Sequence, residues 1–460
     1  TAHSARLYEQ YRALAKEQYP NFLFGGCLGA YRCCSMDEAI ADALELAQRE
    51  FRKDGRRPLR TNVKIAVAGL GYVGMANAVF LARHQDVTAV DLNPERVAAV
   101  QARKSPVADS LIPGYLQSLR LNATCDLGEA YRDAEYVVVA VPTDYAPEKD
   151  AFDTAAVEAV IRSVIAVNPN AVIVIRSTVP VGYTQRIRER LGCRVLFCPE
   201  FLREGTALRD CLSPSRIIVG APQDDSSLME AARVFADFLS GGAEKDCVPI
   251  LLTAPTEAEA VKLFANSYLA LRVAFFNELD TYAELRGLNA QQLIEGIGYD
   301  PRIGNFHNNP SFGYGGCCLP KDVRQLRAEF GGMPAYVVDA AIEANRARKD
   351  FIAERVLEKA GYSGENKGGV IGVYRLAMKA GSDNFRQSSV KDIIRRLKES
   401  GAELIIYEPL LEGEEFLSCR LFRELDTFVQ VSRVILANRF DEALLPVRDK
   451  VYTRDLYQRD

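Results

Sequence analysis

The stretch Val63-Lys-Ile-Ala-Val-Ala-Gly-Leu-Gly-Tyr-Val-Gly-Met75 constrains the fold of this chain more than any other. A short apolar strand runs into Gly69-x-Gly71-x-x-Gly74 and then into an alanine-rich segment of helical character. Strand, glycine turn and helix in that order bring the main chain close to a pyrophosphate and point a helix N-terminus at it. The next predicted strand, Val87-Thr-Ala-Val-Asp91, ends in a carboxylate about twenty residues beyond the first glycines, where a ribose diol would be gripped. An acid at Asp91 disfavours a 2′-phosphate, so NAD is expected rather than NADP.

Short apolar runs at 63–68, 136–141, 171–175 and 194–197, separated by helical patterns, predict buried parallel strands and a doubly wound α/β domain over 63–253. Residues 256–286 contain neither proline nor glycine, and Glu257, Ala260, Lys262, Phe264, Asn266 and Leu269 recur at helical spacing. A long central helix is expected there, within a region 254–360. Strand-helix alternation returns with Gly369-Val-Ile-Gly-Val-Tyr374, Leu404-Ile-Ile-Tyr407 and Val434-Ile-Leu-Ala437, after the polar, glycine-rich link 361–369. The expected fold is therefore α/β: two Rossmann-like doubly wound domains, 63–253 and 366–460, joined by a long central helix. Residues 1–60 stand outside that plan and are expected to form a short N-terminal helical appendage, with Arg52-Lys-Asp-Gly-Arg-Arg57 as its solvated linker.

Composition excludes several classes. The chain has 460 residues, 48% of them hydrophobic, and a net charge of only −4 with no lysine or arginine block, which argues against nucleic acid or an anionic membrane as partner. No run of about eighteen apolar residues exists, and the start lacks a charged segment followed by an apolar one, so neither a membrane span nor a signal peptide is expected. Eleven cysteines without regular spacing or a Cys-x-x-Cys pair fit reduced thiols in a cytoplasm; neither a disulfide framework nor a metal site is expected.

The chemistry concentrates in Phe312-Gly-Tyr-Gly-Gly-Cys-Cys-Leu-Pro-Lys-Asp322. A thiol in a glycine-built cradle beside Lys321 and Asp322 reads as an activated thiolate; the same spelling also fits a glycine-rich turn with an inert, buried thiol. A thiol is not needed to move one hydride from an alcohol. Sulfur can add to an aldehyde as a thiohemiacetal, lose a second hydride to give a thioester, and release an acid on hydrolysis, so a nicotinamide site with a reactive cysteine points to four-electron oxidation. In Pro199-Glu-Phe-Leu-Arg-Glu-Gly205 the carboxylates of Glu200 and Glu204 are four apart and can be aimed at one site, or can form a solvated acidic face. Lys262 and Asn266, also four apart on the predicted helix, can stabilise an oxyanion in a shared cleft, or be a surface lysine and a satisfied core asparagine. Asp322 either steers a water or organises Lys262, and Thr178 offers a hydroxyl to orient that water or is a plain turn residue.

Seven motifs in order carry a family resemblance: Gly69-Leu-Gly-Tyr-Val-Gly74, Val141-Pro-Thr143, Ser177-Thr-Val-Pro-Val-Gly182, Pro199-Glu-Phe-Leu-Arg-Glu-Gly205, Lys262-Leu-Phe-Ala-Asn266, the cysteine loop and Gly381-Ser-Asp-Asn-Phe-Arg386. Residues 63–460 thereby resemble the nucleotide-sugar dehydrogenase family. The resemblance implies oxidation of UDP-glucose to UDP-glucuronate with two NAD⁺ for surface polysaccharide, in a homodimer. It selects Cys318, which immediately precedes Leu-Pro-Lys-Asp, as the nucleophile, with Lys262, Asn266, Asp322, Glu200 as base and Thr178 as its catalytic partners. For the cofactor it implies Val73, Arg96, Thr143, Thr178, Glu204, Cys317, Lys321 and Arg386 beside the glycines and Asp91. For the substrate it implies Glu200, Phe201, Leu202, Arg203, Glu204, Lys262 and Asn266; the loop residues His307, Asn308, Asn309, Pro310, Ser311 and Gly315; Lys379; and Arg302 reaching across a dimer. Two positions depart from the family: Cys317, where an aromatic or other residue is usual, and His307, where tyrosine is.

Two rivals remain beside that reading. A sister enzyme acting on UDP-N-acetylmannosamine or GDP-mannose is disfavoured by Asn308-Asn-Pro-Ser311 and Gly381-Ser-Asp-Asn-Phe-Arg386, and a silent scaffold subunit by the presence of every expected catalytic side chain. At the N-terminus, Leu7-Tyr-Glu-Gln-Tyr-Arg-Ala-Leu-Ala15, Phe24-Gly-Gly-Cys-Leu-Gly-Ala-Tyr31 and Ser35-Met-Asp-Glu-Ala-Ile40 resemble the C-terminal end of UDP-galactopyranose mutases. Cys27 replaces the arginine and Cys33 and Cys34 the tyrosines of that pattern, and its flavin fingerprint is absent, so a tethered appendage is expected there instead of a flavin site. Beginning at Thr1, the chain allows for a piece of a longer fusion.

Overall fold

The structure, a computed structural model, describes Tyr8, Tyr11 and residues 59–316, 318–363, 366–376, 388–409 and 411–458. The chain falls into two units, Thr1–Arg60 and Thr61–Asp460. In the first, Tyr8 and Tyr11 are helical; the rest of the mutase-like motifs and the predicted linker lie outside the described residues.

The second unit is built on two sheets. The larger contains β1 (Lys64–Ala68), β2 (Asp86–Val90), β3 (Leu121–Thr124), β4 (Tyr136–Val139), β7 (Val172–Ile175), β8 (Val195–Phe197), β9 (Ile217–Gly220) and β10 (Ile250–Thr253), with a separate hairpin of β5 (Tyr145–Ala146) and β6 (Ala151–Phe152). Its order is β10-β9-β8-β7-β4-β1-β2-β3. All four predicted apolar runs become strands of its parallel part, and Val137, Val139, Ile173, Ile175, Val195 and Phe197 form the core beneath. Being buried on both faces, they show continuous apolar runs without alternation. The edge departs from that pattern: β9 joins β8 antiparallel through the single pair Phe197 and Gly220, and β10 follows β9 in parallel. Hydrophobic periodicity carries no strand direction, so this reversal is not visible in the sequence.

The second sheet contains β11 (Ile371–Tyr374), β12 (Leu404–Tyr407), β13 (Glu415–Phe416), β14 (Cys419–Phe422), β15 (Val434–Leu436) and β16 (Val451–Tyr452), ordered β13-β14-β12-β11-β15-β16. It is parallel apart from the β13–β14 pair. Each sheet thus has a strand, β1 or β11, whose neighbours on its two sides come from opposite directions of chain travel, which opens a crevice at the strand C-termini.

Six helices position the site: α1 (Tyr72–Leu81), α2 (Pro94–Gln101), α3 (Tyr183–Leu191), α4 (Pro255–Arg286), α5 (Leu319–Glu329) and α6 (Tyr336–Ala360). The predicted central helix is α4; Pro255 starts it at the first helical position and Gly287, at φ +65°, ends it. Its 32 residues span about 48 Å. Gly220 lets α4 lie against the sheet, since a Cβ there would stand 2.7 Å from Pro255 Cα and 2.9 Å from Ala258 Cβ. One face of α4 buries Ala258, Glu259, Lys262, Leu263, Asn266 and Ala270, while Phe264, Tyr268, Phe275, Tyr282 and Leu285 are exposed. Among the described residues no helix is long and apolar enough to cross a membrane.

Candidate active site

The cofactor side forms where the loops after β1 and β4 meet. Gly69 has φ +96°, and a Cβ on it would lie 2.6 Å from the Ala140 carbonyl oxygen; one on Gly74 would lie 1.8 Å from that of Gly69. These two glycines are demanded by packing of turn, helix and neighbouring strand. Gly71 differs, because a Cβ there would meet no protein atom within 4 Å and would project into the space before the α1 N-terminus. That is the approach a pyrophosphate requires. Asp91, at the end of β2, accepts the Leu70 N–H at 2.6 Å and the Asn93 N–H at 2.8 Å, and the Arg96 guanidinium lies 3.6 Å away. Asn93 also caps α2 through the N–H groups of Glu95 and Arg96. Val73 lies in the first turn of α1. Cradle, acid and helix terminus together fit a dinucleotide diphosphate.

The reactive side is built between α4, α5 and the 199–205 segment. Lys262 is buried on α4 and donates to the Glu200 carboxylate at 2.9 Å and to the Glu200 main-chain carbonyl at 2.6 Å. Burial opposes the ionisation of Glu200, but the Lys262 ammonium, the Leu202 N–H and, farther off, Arg176 hold its carboxyl below the ordinary range. Burial likewise opposes the Lys262 charge; Glu200, Asp322 and Cys318 outweigh it and raise its pKa. Asn266, one turn along α4, donates its amide to Asp322 Oδ2. Asp322 is fully buried in the first turn of α5, and among the described residues its Oδ1 meets no hydrogen-bond donor, with Lys321 as a cation at 3.5 Å. A buried acceptor of this kind calls for a donor.

Cys318 is the N-cap of α5 and is partly exposed. The α5 N-terminus and the Lys262 charge both favour a negative sulfur. Lys321 turns to the cofactor side, donating to the Thr143 carbonyl at 2.8 Å, while Thr143 Oγ1 donates to the Thr178 carbonyl at 2.7 Å. The structure therefore brings Glu200, Lys262, Asn266, Cys318, Lys321, Asp322, Thr143 and Thr178 into one connected set.

The loop over 307–315, expected to meet the substrate, is held from three sides. Asn309 donates to Asp455 at 2.7 Å and accepts the Leu456 N–H at 3.1 Å; Ser311 N–H donates to Asn277 at 2.8 Å; Phe312 N–H donates to Asn438 at 2.9 Å. The Tyr314 N–H donates to Asn345, and Arg348 donates to the Ser311 carbonyl while pairing with Asp280 on α4. Gly313 has φ +129°, and a Cβ there would stand 2.6 Å from Asn345 Oδ1. Asn309 and Ser311 thus spend their side chains on shaping the loop, and the Pro310 carbonyl accepts from Arg439. Asn308 is buried beside Asn305, His307 has φ +49° and is exposed, and Gly315 lies at the cysteine end.

Other predicted residues are distributed differently. Phe201 stacks under Arg216 at 3.6 Å, Arg203 pairs with Asp210, and Glu204 lines a cleft with Lys104, Ser105 and Asp109. Arg302 is paired with Asp300, and its side chain is 87% exposed. Cys317, Lys379 and Arg386 lie outside the described residues. The sequence reading missed Arg176, Glu259, Asn277, Asn345, Asn438 and Asp455, whose long-range partners leave no local spacing to read.

Comparisons with known proteins point the same way. Residues 63–239 match the NAD binding domain, 256–347 the central domain and 372–447 the UDP binding domain of the UDP-glucose/GDP-mannose dehydrogenase family. The chain is 47% identical over 401 residues to a UDP-glucose 6-dehydrogenase of Streptococcus pneumoniae, covering 86% of this chain and 100% of the relative. It is 42% identical over 405 residues to one from Campylobacter jejuni, with the same coverage of 86% and 100%. Among solved structures, a UDP-glucose dehydrogenase from Pyrobaculum islandicum superposes with a TM-score of 0.76 at 27% identity, over 88% of this chain and 97% of that one.

Proposed function

Because the chain belongs to the UDP-glucose/GDP-mannose dehydrogenase family, we propose that it oxidises the sugar C6 of UDP-glucose to the carboxylate of UDP-glucuronate, reducing two NAD⁺, through a covalent intermediate on Cys318. The observation that carries this reading is the partly exposed Cys318 at the α5 N-terminus, beside the buried Lys262–Glu200 and Asn266–Asp322 pairs.

NAD, held by Gly69, Gly71, Gly74 and Asp91 with Val73, Arg96, Thr143 and Lys321 around it, supplies the hydride acceptor. The chain does the rest. The Lys262 ammonium and the Asn266 amide stabilise negative charge on the reacting oxygen, first as the alcohol passes its proton to the water on Glu200 and again when sulfur attacks the aldehyde. Cys318 sulfur bonds to the aldehyde carbon, and after the second oxidation the sugar carbon is held as a thioester. Glu200 stays ionised, and because Lys262 and Leu202 each occupy one lone pair of its two oxygens, it can accept a proton from a water aligned by Thr178. Asp322 holds Asn266 and offers its second oxygen to the same water.

For the nucleotide, Phe201, Leu202, Arg203 and Glu204 flank the sugar, and His307, Asn308, Pro310 and Gly315 present the loop that Asn309 and Ser311 brace. Lys379 and Arg386 complete the substrate and cofactor contacts. The chain divides into an appendage 1–60, an NAD domain 63–253, a central region 254–360 with the cysteine loop, and a UDP-sugar domain 366–460. The exposed row Phe264, Tyr268, Phe275 and Tyr282 on α4 suits a homodimer seam, across which the outward Arg302 enters the neighbouring site. Eleven cysteines without disulfide spacing support a cytoplasmic location.

Substrate choice is tested by offering UDP-glucose, UDP-N-acetylmannosamine and GDP-mannose separately with NAD⁺. Turnover of UDP-glucose is expected; oxidation of another sugar nucleotide in its place overturns the assignment.

A further inference from the structure

Thr178 lies on the 177–182 loop, whose placement is set by two carboxylates that belong to other elements. Glu259 is on α4, fully buried, one turn before Lys262. It accepts the Gly182 N–H at 2.5 Å, the Thr184 N–H at 2.8 Å and the Thr184 hydroxyl at 2.6 Å. These N–H groups belong to the open N-terminal end of α3; burial pushes the Glu259 carboxyl up to about 7, and the hydrogen bonds from Thr184 and Gly182 offset part of that rise. Glu329, on α5, accepts the Val181 N–H at 3.0 Å and the Gln325 amide at 2.7 Å. Gln325 in turn accepts the Phe152 N–H at 2.6 Å. At its start, the loop is fastened through Thr143 Oγ1 to the Thr178 carbonyl, and Thr143 is held by Lys321 of α5. The segment carrying Thr178 is therefore referenced to the same two helices that build the reactive side, α4 with Lys262 and Asn266 and α5 with Asp322 behind its N-cap Cys318.

We propose that Glu259 is a positioning residue for thioester hydrolysis, fixing Thr178 relative to Lys262 and Glu200 so that its water meets the carbon bonded to Cys318. This rests on the reading of Cys318 given above. In that step the water oxygen bonds to the thioester carbon and one water proton passes to Glu200. The carbon–sulfur bond breaks, its electron pair returns to Cys318 as thiolate, and the sugar acid leaves and ionises. Nothing is oxidised or reduced in it. The Thr178 hydroxyl is assigned here to the hydrolytic water, so Glu259 is expected to bear mainly on the last stage.

The test compares wild type, Glu259→Gln and Thr184→Val. Glutamine keeps the size of Glu259 but sets its amide against the Gly182 N–H; valine removes only the hydroxyl donor and protects the experiment if the glutamine variant folds poorly. Rapid mixing with UDP-glucose and NAD⁺ is expected to give a wild-type-like burst of NADH in the variants. A steady rate lowered roughly ten- to a hundredfold should follow, with KM for both substrates falling in parallel so that kcat/KM is nearly unchanged. Intact mass spectrometry of quenched variant should show an accumulated sugar-nucleotide adduct on Cys318. A burst and a steady rate that fall together, without adduct, mean that Glu259 merely holds the fold, and overturn the inference. If wild type itself forms no adduct under any quench and yields one NADH per sugar, the Cys318 reading fails and this inference fails with it.

Discussion

The Lys262 ammonium donates to two oxygens of a single residue, the carboxylate and the main-chain carbonyl of Glu200. A rigid helix thereby sets both the charge and the backbone position of the 199–205 segment, and the two side chains are 4% and 7% exposed. The pair is electrostatic machinery and structural joint at once.

Replacing Lys262 by methionine should abolish turnover and destabilise the protein by about 3–5 kcal/mol, because a buried carboxylate is left without its partner. Glu200 is held below its ordinary value of 4.5, so its share of the pair's stability is present above that pH and is lost as pH falls through the lower native value. Lys262 is raised above 10.5, so its share is present below that pH and is lost as pH rises through the native value. Thermal melts of wild type and Lys262→Met should therefore differ by a gap that narrows as pH falls, because the buried Glu200 left without its partner takes up a proton in the variant, and narrows again at the alkaline extreme. A gap that does not narrow toward acid contradicts the pairing.

The glycines of the first turn should separate cleanly. A Cβ at Gly74 would overlap the Gly69 carbonyl oxygen at 1.8 Å, whereas one at Gly71 meets no protein atom within 4 Å. Gly74→Ala is expected to lose soluble, folded protein. Gly71→Ala should melt within about 0.5 kcal/mol of wild type, as a substitution in open space does, yet bind NAD⁺ at least roughly tenfold more weakly by calorimetry. Unchanged NAD⁺ affinity in Gly71→Ala contradicts the placement of the pyrophosphate.

Arg302 supplies a test of the dimer. Its side chain is exposed and pairs with its near neighbour Asp300, so Arg302→Ala should leave the melting temperature of the protein essentially unchanged. If Arg302 serves the neighbouring site, Arg302→Ala and Cys318→Ala should each be nearly inactive alone. Mixed and allowed to exchange subunits, they should recover part of the wild-type rate. No recovery from exchanged subunits contradicts the crossed site.

Much of the fold and of the site is legible in the sequence. Local patterns carry the β1–α1 turn, the buried strands and the proline- and glycine-free α4, because each is written within one stretch of chain. The i, i+4 spacing of Lys262 and Asn266 placed both on one face, and both are buried there. What escaped reading depends on distance in sequence. Glu259 meets Thr184 75 residues away, and Asn309 meets Asp455 146 residues away, so their partners follow only from how the sheets and helices pack. The same holds for the reversed β9, whose direction is decided by the route of the chain and not by its apolar content.

The central claim is that one enzyme carries the sugar carbon through two successive oxidations without releasing the aldehyde, held by Cys318. The most direct measurement is to count NADH formed when limiting UDP-glucose is consumed completely in excess NAD⁺. Two NADH for each sugar is the expected result; a ratio of one, with free aldehyde as product, contradicts it.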